Sequence, residues 1–129
     1  MITYTNPYIR GSKKNSVLVE LKDTSNVAVT GKTQADVTVS TVRWRQLPDS
    51  VTMVSLANAR VAFSAGGWAQ LSAVQYPGLY RLDIPNSAFE NDGLSDVVLV
   101  SVLCVGCQPV YLLIPLTDHD DSANTRDRT

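Results

Sequence analysis

The chain has 129 residues, of which 44% are hydrophobic and only 18% charged, with a formal net charge of −1. That size fits one domain able to bury a core without metal or disulfide staples, and near-neutrality removes the electrostatic case for nucleic acid or an anionic membrane as partner. Sparse charge implies that part of the surface faces protein rather than water, and neutrality favours association.

Residues 1–15, MITYTNPYIRGSKKN, have no apolar run behind a basic start, so they do not read as a secretory signal, and synthesis in a cytoplasm is expected. Asn6-Pro7, Gly11-Ser12 and Lys13-Lys14-Asn15 break any periodicity. Ile2, Tyr4, Tyr8 and Ile9 are nevertheless too apolar for a solvated tail. An arm docked on its own domain or on a neighbour is the physical reading.

Ser16 to Lys22 alternates Val17, Val19 and Leu21 against Leu18, Glu20 and Lys22 and reads as the first strand. Val27 to Val29 reads as a short strand edge before a turn at Gly31. In Asp36 to Arg45 the apolar positions change parity, since Val37 and Val39 share one face and Val42 and Trp44 the other; a bulge near Ser40-Thr41 would bring all four to one side. Val51 to Val54 and Arg60 to Phe63 are short strand candidates around Ala57-Asn58.

The best-punctuated stretch is Gly66 to Pro85. Gly66-Gly67 precede Trp68, Pro77-Gly78 turns the chain, and Tyr80, Leu82 and Ile84 then share one face against Leu79, Arg81 and Asp83 before Pro85. This predicts a β-hairpin. Asn86 to Gly93, with Ser87 three residues before Glu90, fits a capping box and predicts a single helical turn.

The uncharged run from Val97 to Leu116 is about as long as a membrane-spanning helix. Gly106, Gln108, Pro109 and Pro115 interrupt it and its halves are β-branched, so a second hairpin, Val97 to Val105 and Pro109 to Leu116, is favoured. Both faces of this hairpin are apolar. Val98, Val100 and Val102 are assigned to the core, leaving Val97, Leu99, Leu103, Tyr111 and Leu113 on a second face that calls for cover.

These elements predict an all-β fold: an Ig-like antiparallel β-sandwich of seven to eight short strands with one short helical turn. Its expected parts are an arm over 1–15, a sandwich over 16–116 and a polar tail over 117–129. The predicted core contains Trp44, Trp68, Tyr80, Leu82, Ile84, Val98, Val100 and Val102. Ile2, Tyr4, Tyr8, Ile9, Val97, Leu99, Leu103, Tyr111 and Leu113 are the candidate subunit interface.

Chemistry is thinly represented. Cys104-Val105-Gly106-Cys107 is a C-x-x-C pair without the further ligands of a zinc site or the helix start of a thioredoxin-like site; reduced structural thiols are favoured over a labile disulfide across the turn, and both over a metal. His119, between Asp118 and Asp120-Asp121, belongs to a polar acidic segment that lacks a cation-loop glycine. No nucleophile stands beside it and no phosphate loop is present, so neither catalytic residues, metal nor cofactor are expected. Arg43-Trp44-Arg45 and Trp68 raise a carbohydrate-stacking hypothesis, but strand alternation favours both Trp as core.

Taken together, GGWAQLSAVQYPGLYRLDIPNSAF, DVVLVSVLCVGCQPVYLLIPL and the upstream VELKDTSNVAVTGKTQADVTVSTVRWRQ resemble small tailed-phage virion structural domains. The resemblance covers about residues 16–116 and carries no catalytic residues. It implies a non-enzymatic virion protein, made in the bacterial host cytoplasm, that binds other copies of itself and other virion proteins in the tail, neck or fibre region. Capsid decoration is the alternative within that class. A carbohydrate-binding module is the alternative outside it.

Overall fold

A computed structural model describes residues 2–47, 49, 51–58, 62–90 and 96–117. Two sheets pack face to face as an all-β sandwich. The six-stranded sheet is built from β1 (Ile2–Tyr4), β2 (Tyr8–Ile9), β4 (Val37–Arg43), β5 (Thr52–Met53), β9 (Asp96–Cys104) and β10 (Val110–Thr117), with β1 and β2 both on the free edge of β10 and the order β10-β9-β4-β5 beyond them. The four-stranded sheet has β3 (Asn15–Glu20), β8 (Leu79–Ile84), β7 (Gly67–Gln70) and β6 (Ala57–Asn58) in that order. Short 3₁₀ turns occupy Trp44–Gln46 and Asn86–Phe89.

The strands come from period-two alternation, and the inner faces interdigitate accordingly. Val17, Val19, Leu21, Leu82 and Ile84 of one sheet meet Val39, Val98, Val100, Val102, Leu112 and Ile114 of the other. Trp68 and Tyr80 stack at 4.9 Å between ring centres, both within the core. Their polar atoms reach the 29–34 loop: the Trp68 indole N–H donates to Lys32 O at 3.1 Å, and the Tyr80 hydroxyl donates to Val29 O at 2.8 Å while accepting from the Lys32 N–H at 3.2 Å. Buried aromatic rings thereby hold the crossover between the sheets.

Gly66 is confined by its surroundings. At φ +77° its N–H donates to Asp83 O at 2.9 Å and its carbonyl accepts from Ala57 N at 3.0 Å. A Cβ there would stand 2.0 Å from Ser55 O.

Several expectations require correction. The sheets are mixed, because β1 and β2 run parallel to β10 and β6 parallel to β7. Ten strands are present among the described residues, the additional ones being segments of two or three residues in the arm and loops. The arm is therefore docked on its own domain. No bulge interrupts β4, whose pairing with β9 runs unbroken from Val37↔Cys104 to Arg43↔Val98. Strand β6 lies at Ala57–Asn58, where a break between strands was expected, and 60–61 of the neighbouring candidate lie outside the described residues. The turn at Asn86–Phe89 forms without a side-chain cap, with Pro85 preceding it and Glu90 closing it, so the capping box is not made. The uncharged run 97–116 forms β9 and β10, and no helix among the described residues is long and apolar enough to cross a membrane.

Candidate functional site

The feature that the fold leaves over is the outer face of the six-stranded sheet. Residues directly opposite in neighbouring strands share a face, and the registers align Tyr4, Leu113, Leu99 and Val42 in one row across four strands. The next row runs Ile2, Tyr111, Ser101, Ser40 and Met53. Val97 with Pro115, Leu103 with Thr38, and Ile9 with Thr117 complete it. No charged side chain occurs in any of these rows. Ile2 is 63% exposed and Tyr4 74%, and Met53 and Leu103 are exposed as well.

Eight of the nine residues expected at an interface thus converge on one surface. Tyr8 is the exception. It pairs with Leu116, on the core side, stacks on Phe89 at 5.5 Å, and its hydroxyl donates to Ser16 O at 3.1 Å. Burial pushes its pKa up. Leu113 and Val42 are correctly placed on the outer face but already buried among their neighbours there, so they support the surface more than they present it. Burial of Val42 on this side explains why no bulge is needed: both faces of the sheet are dry enough to take a valine.

The segment Arg43-Trp44-Arg45 is inverted with respect to the sequence reading. Strict alternation from Val37 carries Arg43 inward, where it is buried and its guanidinium donates to Ala88 O at 3.1 Å and to Glu90 O. Those carbonyls offset the cost of taking an arginine out of water. The 3₁₀ turn starts at Trp44, alternation ends, and Trp44 is 57% exposed rather than core. The other predicted core residues, Trp68, Tyr80, Leu82, Ile84, Val98, Val100 and Val102, are all buried.

Asp83 is a buried acid that alternation missed. It points away from the core yet is 0% exposed, because the 62–66 segment folds over it. Its carboxylate accepts from Ser16 Oγ at 2.6 Å and Ser64 N–H at 3.1 Å, and pairs with the Arg81 guanidinium at 3.0 Å. These contacts fasten the edge strand β3 and the 62–66 segment to β8.

Shallow hollows open on the surface among the described residues. One of about 160 Å³ lies beside Trp68 and is lined by the 31–34 loop, Asn58 and Gln70. A second, of about 350 Å³, lies over Arg43 between Thr52 and Ser87. A third, of about 310 Å³, lies at the β9–β10 turn and is lined by Asp36, Leu103, Cys104, Cys107 and Pro109 among others. Among the described residues no group of three or more His, Cys, Asp or Glu is placed to hold a metal ion. The acidic stretch around His119 lies outside the described residues. Comparison of the chain with protein-family models, with curated proteins and with solved structures finds no match.

Proposed function

We propose that the chain is a non-enzymatic structural subunit that binds neighbouring subunits, copies of itself and other structural proteins, through the outer face of its six-stranded sheet. One observation carries this reading: an uncharged surface five strands wide, on which Ile2, Tyr4, Leu103 and Met53 stand in water. Each large apolar side chain covered by a partner contributes about 1.5–3 kcal/mol at most, and contiguous patches of this kind mark interaction sites. The virion of a tailed phage is the setting implied by the resemblance of residues 66–89 and 96–116, with a place in the tail, neck or fibre first and capsid decoration as the alternative. An Ig-like reading of the sandwich fits it. Its support is the strand order, β3-β8-β7 opposite β10-β9-β4-β5, which corresponds to the B-E-D and G-F-C-C′ sheets of such domains.

Size-exclusion chromatography with light scattering tests the proposal on the full chain and on an Ile2→Asp, Leu103→Asp double variant. The wild type is expected to self-associate and the variant to do so at least about tenfold more weakly, with an unchanged circular dichroism spectrum. A wild-type chain that stays monomeric at high concentration and is indifferent to purified tail and capsid particles overturns it. Point changes are preferable to removing residues 1–15, which would also strip β10 of its edge partners.

Carbohydrate binding is the second reading, and the exposure of Trp44 beside Arg45 is the observation that favours it. Trp68 takes no part, since its ring lies in the core. Titration of oligosaccharides against Trp44 emission, with Trp44→Phe as control, tests that reading.

A further inference from the structure

We propose that Cys104 and Cys107 form a reversible dithiol–disulfide pair, oxidised by small-molecule disulfides such as glutathione disulfide, that staples the turn between β9 and β10. The Cys107 N–H donates to Cys104 O at 3.0 Å, closing a four-residue turn in which Gly106 takes φ +82°. Such a turn holds its end Cα atoms within about 7 Å, which overlaps the span a disulfide bridges. Both side chains are half-buried, both rest against the margin of the core, and both line the same open hollow, so they point the same way and a reagent can reach them. The Cys104 thiol donates to Val105 O at 3.7 Å, within the turn itself.

The turn is a joint between the sheets. Cys107 bridges to Asp23, the Gln108 N–H donates to Lys22 O at 2.8 Å, and the Gln108 side-chain amide donates to Asp23 O at 2.7 Å. Closing the pair therefore stiffens the place where the end of the hairpin clasps the loop after β3.

The exchange balances in two steps. One cysteine thiolate attacks the reagent, breaking its S–S bond, forming a mixed disulfide and releasing one small thiol. The second cysteine loses its proton and attacks the mixed disulfide, forming the Cys104–Cys107 bond and releasing the second small thiol. The protein gives up two electrons and two protons, and the reagent is reduced to two thiols. Cys104 is pushed up to about 11, by burial first and then by the neighbouring Cys107 thiol; Lys32 opposes this, whereas Asp36 adds to it, and the Tyr80 hydroxyl lies nearby. Wherever attack by Cys104 limits closure, the rate climbs about tenfold per pH unit between neutrality and that value.

The test uses the reduced full chain incubated with glutathione disulfide and followed by thiol titration, intact mass and thermal unfolding. Both thiols are expected to disappear with the mass loss of two hydrogens, reversibly on adding dithiothreitol, and Tm to rise by about 5 °C. Cys104→Ser and Cys107→Ser are expected to stop at a single glutathione adduct with no such rise. A stable double adduct, a disulfide between two chains, thiols that do not react, or an internal disulfide that leaves Tm unchanged overturns the proposal.

Discussion

Ser16 Oγ donates to Asp83 Oδ1 at 2.6 Å, fastening the edge strand β3 to β8 on the side of the sheet turned away from the core. The same carboxylate takes the Ser64 N–H and the Arg81 guanidinium, so one fully buried acid ties together an edge strand, a central strand and the segment covering them. Asp83→Ala leaves Arg81 and the Ser64 N–H facing an empty space, and a loss of about 3–5 kcal/mol in urea unfolding is expected. Asp83→Asn keeps an acceptor oxygen and should lose about half as much. A loss below about 1 kcal/mol for the alanine variant contradicts this role.

Gly66 permits a comparison within one protein. Gly31 and Gly106 share its positive φ, but an added Cβ at either meets nothing within 4 Å. Alanine at those two positions should cost about 1–2 kcal/mol from backbone strain alone. Gly66→Ala also drives a Cβ into Ser55 O, which forces the backbone of 55–57 away from β7. It should be the most destabilising of the three by denaturant midpoint, and equal losses at all three sites would show that the close approach is unimportant.

The Tyr80 hydroxyl makes a prediction with a pH signature. Tyr80→Phe removes the donor to Val29 O and the acceptor for the Lys32 N–H, an expected loss of about 1–2 kcal/mol. Burial raises the Tyr80 pKa above 10.0 in the folded chain, so the neutral form is favoured there. Stability tied to that shift is fully present below about pH 10 and is lost as pH rises through the higher native value. Tyr8 and Cys104, also raised, add to the alkaline loss, so the Tyr80 share is read as the difference between wild type and Tyr80→Phe in urea midpoints at pH 8 and above pH 10.

The two tryptophans should separate in fluorescence. Trp44 is exposed, and acrylamide is expected to quench it readily; Trp68, 1% exposed and stacked on Tyr80, should emit further to the blue and resist quenching. Trp44→Phe is expected to leave only the protected emission. Comparable quenching of both rings would contradict the inversion of Arg43 and Trp44.

Sequence periodicity made the sandwich legible where a strand has one unambiguous dry face. Val17 and Val19, Tyr80 to Ile84, and Val98 to Val102 are all found on the face expected. It failed where burial depends on a segment remote in sequence. Asp83 reads as a solvent-facing residue until the 62–66 segment is laid over it, and Arg43 reads as exposed until the carbonyls of Ala88 and Glu90 are brought to it. The imagined bulge in β4 came from treating Val42 and Trp44 as core because they are apolar, although the sheet has a second apolar face and a turn begins at Trp44. Most of the candidate face was legible for the same reason that β9 and β10 are hydrophobic throughout. Tyr8 was misassigned because parallel pairing with β10 sets its direction, and nothing local encodes that register.

The pairing of the first strands with the last one has a consequence for biosynthesis. Residues 2–9 leave the ribosome well before their partners at 111–117, so these contacts must wait for translation through Thr117. Until then β1 and β2 have nothing to add to, and β9 carries an open edge of the sort that joins other chains indiscriminately. A nascent or truncated chain is sticky at both places. Sealing of the six-stranded sheet is thus a late folding event, available only to a chain translated past its tenth strand.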